Sequence, residues 1–521
     1  MKKLLALLLI FPLLLSGCAV TDEYTPEPSS TQEPTQELTE ETETSAVPEK
    51  EEDGELGLSY YPAQGLNPFT CKVVTNRALF SLLYEGLFVV SNEFRAEPVL
   101  CESFRVSEDG TTYSFTLLEG LLFSDGTPVT AEDVEASIAA ARQSPMYRGR
   151  LSDVSYYVAD GDRTIVVQLY TAYENFALMM DIPILKKDTI ESDTPVGTGA
   201  YKAQGMRLVR NPNWWQTEEP MVDDEVITLN VCQDINDLRD SFEFGGTDLV
   251  YCDPNSAAAV GFRCDYETWE APTTIMHYIG FNLYSGYFVN DTLRRAVTYI
   301  IDREDIGNKV YGGFGVASVL PCSPHSDLYD SQLAENYDYA PASFMEALEA
   351  SGVKTSEEYA NHAGLFVVCA DDPTRIEAAE YICQVLQDYG LNIQVNILDR
   401  DSYKNALEGG DFDLYYGEVR LPNSFDLTEF FQDGGNLEYG SISSSTLEDL
   451  CQEALENSGR YVDLCSQVMQ QGRICPVIFK SYAVNVTRGL MTDLTPSMDC
   501  VFHDAGTART LADADKTYAS D

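Results

Sequence analysis

The sequence predicts an α/β protein, on three observations. Residues Ile376 to Gln387 keep apolar side chains at helical spacing and run through Gly390 into the alternating strand Ile393 to Ile397, an α/β unit. Thr111 to Leu117 alternates as a strand, and beyond the turn Ser124-Asp125-Gly126-Thr127 the run Thr130 to Val134 opens a helix with capping chemistry. Two apolar runs, Thr274 to Ile279 and Ile478 to Val484, are strand-like and suited to lie side by side.

From the N-terminus, Met1-Lys2-Lys3 is a short basic stretch before the apolar run Leu4 to Leu15. That run is shorter than the roughly 20 residues that span a bilayer, so it reads as a signal peptide occupying 1–18. It ends in Leu15-Ser16-Gly17-Cys18, which resembles the lipobox of bacterial lipoproteins. The resemblance makes Cys18 the expected lipidation site, the anchor of the chain to the cell membrane. Residues 19–55 are rich in Thr, Glu, Pro and Ser, bury too little apolar surface to offset chain entropy, and are expected to form a disordered acidic tether. The folded body follows. Gly57 to Tyr61 is a short strand, Leu66-Asn67-Pro68 a turn, and Asn76 to Glu85 a helix with Leu79, Leu82, Leu83 and Leu87 on one face. Gly313 to Ser318 starts like a dinucleotide loop but lacks its third glycine, and is expected to be a turn.

Composition bounds the function. With 84 acidic and 33 basic side chains the formal net charge is −51, which argues against nucleic acid as a partner, because phosphate binding needs clustered Lys and Arg. The same charge repels an anionic membrane surface, so attachment must come from the anchor, and it favours a monomer. Besides Cys18 the chain holds twelve cysteines; an exported chain permits disulfides, while apolar settings such as Tyr381-Ile382-Cys383 suit buried thiols equally well. No Cys/His spacing fits zinc, so neither a metal nor another cofactor is expected. His277, His325, His362 and His503 lie outside any HExxH motif and there is no GxSxG elbow, so no catalytic residue is assigned. A secreted hydrolase is the lesser alternative.

A series of short motifs carries more. Leu66-Asn67-Pro68, Leu83-Tyr84-Glu85-Gly86-Leu87, Asp109 to Phe115 and Phe123 to Val134 come first. Pro195 to Tyr201, Arg210-Asn211-Pro212-Asn213-Trp214-Trp215, Gly280-Phe281-Asn282, Leu293 to Val297, Ile301 to Glu304, Tyr389-Gly390-Leu391 and Gly410 to Leu414 follow in order. Singly each has a structural reading: Asp125-Gly126 is turn chemistry, Gly197-Thr198-Gly199 lets the backbone turn, and Trp214-Trp215 fills a core. Together they resemble family 5 extracellular solute-binding proteins, the oligopeptide, dipeptide and nickel-chelate receptors of bacterial ABC importers.

The resemblance implies a two-lobed periplasmic-binding-protein-like fold with an extra subdomain and a two-stranded hinge. It places lobe I in 56–90, 190–275 and 483–521, the inserted subdomain in 91–189, and lobe II in 276–482. It implies a peptide or small-molecule ligand gripped between the lobes, delivery to the permease subunits, and no enzymatic step. Ligand contacts are expected from Lys72, Val73 and Val74 within 71–75, and from Tyr416, Gly417, Glu418, Val419 and Arg420 in a loop reaching Leu421. These would pair with the ligand backbone as an added strand. The chain departs from similar receptors in one respect: Glu418 and Leu421 stand where a Trp and an amine-binding Asp are common. Glu418 or Asp426 is a candidate replacement, and Lys72 or Arg420 a candidate holder of a ligand carboxylate. A nickel chelate or another small solute is the alternative ligand.

Overall fold

The computed structural model describes residues 56–503, apart from 217–221, 223, 358, 360 and 493, together with 509–510. The predicted signal peptide, Cys18 and the acidic tether lie outside the described residues.

Two long strands organise the molecule, Tyr266–Phe281 and Ile474–Thr487, paired antiparallel. At about 3.3 Å per residue the first spans roughly 50 Å, enough to serve two lobes. Its first half and the second half of its partner belong to a half-sheet continued by Leu249–Cys252, Gly57–Tyr60, Val226–Val231, Arg207–Arg210 and Tyr201–Ala203. Its second half carries, in turn, Leu414–Arg420, Gly364–Cys369 and Ile393–Leu398. The register shifts between Pro272 and Met276, at the join. Pro272 has no N–H to give the ladder. Beside it the hydroxyl of Thr273 donates to Lys480 O at 2.7 Å and accepts the Ile275 N–H at 3.0 Å, while the Thr274 hydroxyl donates to Leu421 O at 2.7 Å. Side chains thus satisfy backbone groups where the chain crosses between lobes.

In lobe II, Gly364–Cys369 and Ile393–Leu398 run parallel with the helix Pro373–Asp388 between them. Asp372 caps that helix, accepting the N–H groups of Thr374 and Arg375, and Pro373 opens it. A four-stranded antiparallel sheet, Cys101–Val106, Thr112–Leu117, Thr164–Leu169 and Val154–Asp160, forms a separate layer with the helix Ala131–Ala141 packed on it. Tyr113, Phe115 and Leu117 face inward along its second strand, the burial that period-two alternation requires. Asp133 returns to the Thr130 N–H at 2.9 Å, closing the capping interaction at the start of the helix.

Three local expectations are corrected. The helix expected over Asn76 to Glu85 is two single turns, Val74–Arg77 and Phe80–Leu83. It stops because the Gly199 N–H takes the Leu83 carbonyl at 3.0 Å, and only glycine allows that approach: a Cβ on Gly199 would lie 2.4 Å from Leu82 O. The four leucines are buried regardless. Within the expected turn over 313–318, Gly315–Ala317 pairs as a strand with Ile474–Thr487. The segment expected as a loop at 417–421 is the strand Leu414–Arg420. Of the cysteines whose state the sequence leaves open, Cys322, Cys383, Cys451, Cys465 and Cys475 are buried thiols without a disulfide.

Candidate functional site

Where the lobes and the four-stranded layer meet, the fold encloses a cavity of about 300 Å³. Its wall comes from the end of the broken helix at Phe80 to Gly86, the hairpin Phe88–Val90 with Ala96–Pro98, and Tyr147, Asp181 and Trp214. Pro272 at the crossing, Asn423 beyond the lobe II strand, and Ser497 to His503 complete it. Glu85 faces this space with the indole N–H groups of Trp214 and Trp215 donating to its carboxyl at 2.9 and 3.2 Å. Loss of water pushes that carboxyl up to about 7, against the pull of the two indoles.

Asp499 joins the parts of the molecule. Its carboxylate is paired with Arg77 from the first short helix, with Arg150 beyond the helix Ala131–Ala141, and with Arg420 at 3.2 Å from the lobe II strand. Burial opposes its charge, but Arg150, Arg420 and Arg77 together hold it well below the usual carboxylate range. Arg150 also reaches Asp181 at 2.6 Å and lies over the Tyr147 ring.

A second buried network stands behind the lobe II strand. His277 on the crossing strand meets Glu418 at 2.8 Å through Nε2 and the Tyr311 hydroxyl at 2.6 Å through Nδ1, and Tyr311 meets the Tyr416 hydroxyl at 3.1 Å. Lys480 pairs with Asp253 at 2.6 Å and lies 3.9 Å from Glu418. Burial disfavours the Glu418 charge, yet Arg375, His277 and Lys480 hold it ionised, while burial pushes His277 toward the neutral form. His277, Asp372 and Glu418 offer ligand atoms within 4.8 Å of one another. Both histidine nitrogens are already engaged and Lys480 and Arg375 already supply the positive charge, so the arrangement is a compensated ion network rather than a vacant metal centre.

The residues singled out in the sequence fall into separate roles. Lys72 is exposed, Val73 stands at the N-cap of the helix Val74–Arg77, and Val74 is half-buried in its first turn. Tyr416 and Val419 are buried, and the Glu418 side chain is 6% exposed. Leu421 is buried, and Asp426 is committed to the N–H and hydroxyl of Thr428. None of Lys72, Val73, Val74 or the 416–420 segment lines the cavity; Arg420 reaches its wall through Asp499. The strand has an open edge, however. Leu421 N–H donates to Thr274 O, which sets the register so that the main-chain groups of Val419 and Gly417 face the crossing strand and those of Glu418 and Arg420 face away. Gly364–Cys369 pairs that outer edge only at Leu414 and Tyr415. Sequence reasoning did not find Glu85 as a titrating group, nor Arg77, Arg150, Asp181 and Asp499, whose meeting has no local signature.

Two α/β lobes joined by a pair of crossing strands, with a small-molecule-sized cavity where they meet, define a periplasmic-binding-protein-like receptor. Residues 95–432 match the model of the bacterial extracellular solute-binding proteins, family 5 (middle region), and the chain belongs to that family, whose members serve ABC importers as solute-binding proteins and are not enzymes. Among curated proteins it is 23% identical over 366 residues to the glutathione-binding protein GsiB of Shigella flexneri serotype 5b, covering 66% of this chain and 69% of that one. Among solved structures it superposes on NikA from Brucella suis in complex with Fe(III)-EDTA with a TM-score of 0.67 at 16% identity, covering 87% of this chain and 100% of that one. It superposes on the oligopeptide-binding protein AppA from Bacillus subtilis, in complex with a nonapeptide, with a TM-score of 0.60 at 17% identity, covering 88% and 99%. Among the described residues no helix is long and apolar enough to cross a membrane.

Proposed function

We propose that this solute-binding protein captures peptides outside the cell and delivers them to the permease of its importer, held at the membrane by lipid on Cys18. The observation that carries the reading is the open edge of the lobe II strand at Glu418 and Arg420, a row of main-chain donors and acceptors beside the junction of the lobes. An extended peptide completes such an edge by strand addition, a contact indifferent to side-chain identity. The short helix that starts at Val74 supports the opposite bank, since its Arg77 and the strand's Arg420 share Asp499. The lobe limits of 56–90, 190–275 and 483–521 against 276–482, with 91–189 inserted, go with this reading. A ligand that bridges both lobes favours the closed form by its differential affinity. Arg420, 26% exposed, is placed to share a ligand carboxylate with its hold on Asp499.

The test is calorimetry with scattering. The mature protein is titrated with unrelated tri- to pentapeptides and with the same peptides methylated on alternate backbone nitrogens. Micromolar or tighter binding of several sequences, a smaller radius of gyration, and loss of binding on methylation are expected. Binding of nickel or iron chelates alone would replace peptides with a chelate, the second reading, which the cavity's modest volume favours. Changing Cys18 to Ala should release the protein into the medium.

A further inference from the structure

The wall of the cavity is one-sided in charge. Glu85, Glu97, Asp181 and Asp499 line it, and no lysine or arginine does. Of these, Asp181 has its side chain 6% exposed; its Oδ2 accepts Arg150 Nη1 at 2.6 Å and Asn423 Nδ2 at 3.2 Å. Its Oδ1 is buried with no hydrogen-bond partner among the described residues. A buried carboxylate oxygen left without a donor is costly, and the cost is recovered by whatever donor arrives. The other carboxylates at hand are spent: Asp499 on three guanidiniums, Glu418 on His277, and Asp426 on Thr428.

We propose that Asp181 is the anchor for a protonated amine of the ligand, which it holds through Oδ1 at the wall of this cavity. This rests on the reading of the chain as a solute receptor and names the chemistry of one end of its solute. The surroundings suit an ammonium group carried on an apolar body. Tyr84, Phe88, Phe94 and Trp214 face the same space and supply apolar surface and ring faces that attract a cation. The three guanidiniums behind the wall are offset by Asp499, Asp181 and Glu97, so the incoming cation meets no uncompensated positive charge. Burial and the neighbouring Asp499 charge both raise the Asp181 carboxyl, the situation of an acid whose ionised form lacks a partner.

The amine has two sources, a peptide N-terminus or a free organic amine, and the probes separate them. Trialanine, N-acetyl-trialanine and 2-phenylethylamine are titrated calorimetrically into the full mature chain and into Asp181→Asn. Wild type is expected to bind trialanine at least tenfold more tightly than its acetylated form. Asp181→Asn is expected to bring the two within twofold, with the acetylated affinity unchanged. Equal affinity of wild type for both peptides, or an undiminished preference in Asp181→Asn, overturns the proposal. Phenylethylamine bound in wild type and lost in the variant, with neither peptide bound, keeps the anchor and removes the peptide reading; no binding of any probe overturns the anchor. If Asp181→Asn does not fold, Asp181→Glu keeps a charge for Arg150 but moves it by one methylene. It should change the preference for the free amine threefold or more, and an unchanged preference overturns the proposal.

Discussion

Glu85 shows what a single side chain can impose on the whole. Its carboxyl sits at about 7 because loss of water outweighs two indole hydrogen bonds. The unfolded chain releases the same proton near 4.5, so between about 4.5 and 7 the folded state holds a proton that the unfolded state does not, and stability falls as pH rises through that window. The full effect is on the order of 3 kcal/mol. A glutamine in place of Glu85 keeps an acceptor for the indoles without a charge to bury. Melting curves for Glu85→Gln should match wild type near pH 4 and lie above it at pH 8; parallel curves at both values would refute the account. Asp499 has the opposite sign. Its carboxyl is held low, so the stability it contributes is present at neutral pH and disappears as the solution becomes acidic.

At the scale of elements, the crossing strand and the lobe II strand are locked by two reciprocal pairs. Gly280 stands opposite Tyr415 and Gly417 opposite Tyr278. Each tyrosine ring lies over the facing glycine, so that a Cβ on Gly280 would fall 2.1 Å from Tyr415 Cε1 and one on Gly417 2.6 Å from Tyr278 Cζ. The rings meet edge to face with centroids 5.7 Å apart, and their hydroxyls are 3.3 Å apart. Gly280→Ala or Gly417→Ala must push a packed ring aside, at a cost of about 1–3 kcal/mol, read as a lower urea midpoint with an unchanged slope. The open edge of the strand therefore rests on the packing of its other neighbour. Gly417 is glycine because of Tyr278, whatever it meets in the cleft. The sequence marks both glycines inside recognisable stretches, but cross-strand partners come from register, which is why the same residues read as a loop until the pairing is seen.

For the whole molecule, Asp499 is the point at which the first short helix, the segment carrying Arg150 and the lobe II strand are tied together. Replacing it with asparagine leaves three guanidiniums without their shared partner. Asp499→Asn should cost about 3–5 kcal/mol in denaturant unfolding and enlarge the unliganded radius of gyration in scattering; an unchanged radius would mean that the lobes are held by the crossing strands alone. The α/β class and the family were legible in the chain, because helical periodicity, turn chemistry and capping are near-neighbour properties, as at Asp133, three residues from the Thr130 it caps. The cavity and its charges were not. Arg77 and Asp499 are 422 residues apart and Arg150 and Asp499 are 349 apart, and no local pattern records that they share one carboxylate. Glu418 looked like an exposed acid in a loop and is a buried one on a strand, because its surroundings are His277, Arg375 and Lys480, from three other segments. Short-range preferences thus settle which pieces form and what family they belong to, whereas ionisation, burial and the shape of a binding cavity depend on distant groups that meet only when the lobes close on one another.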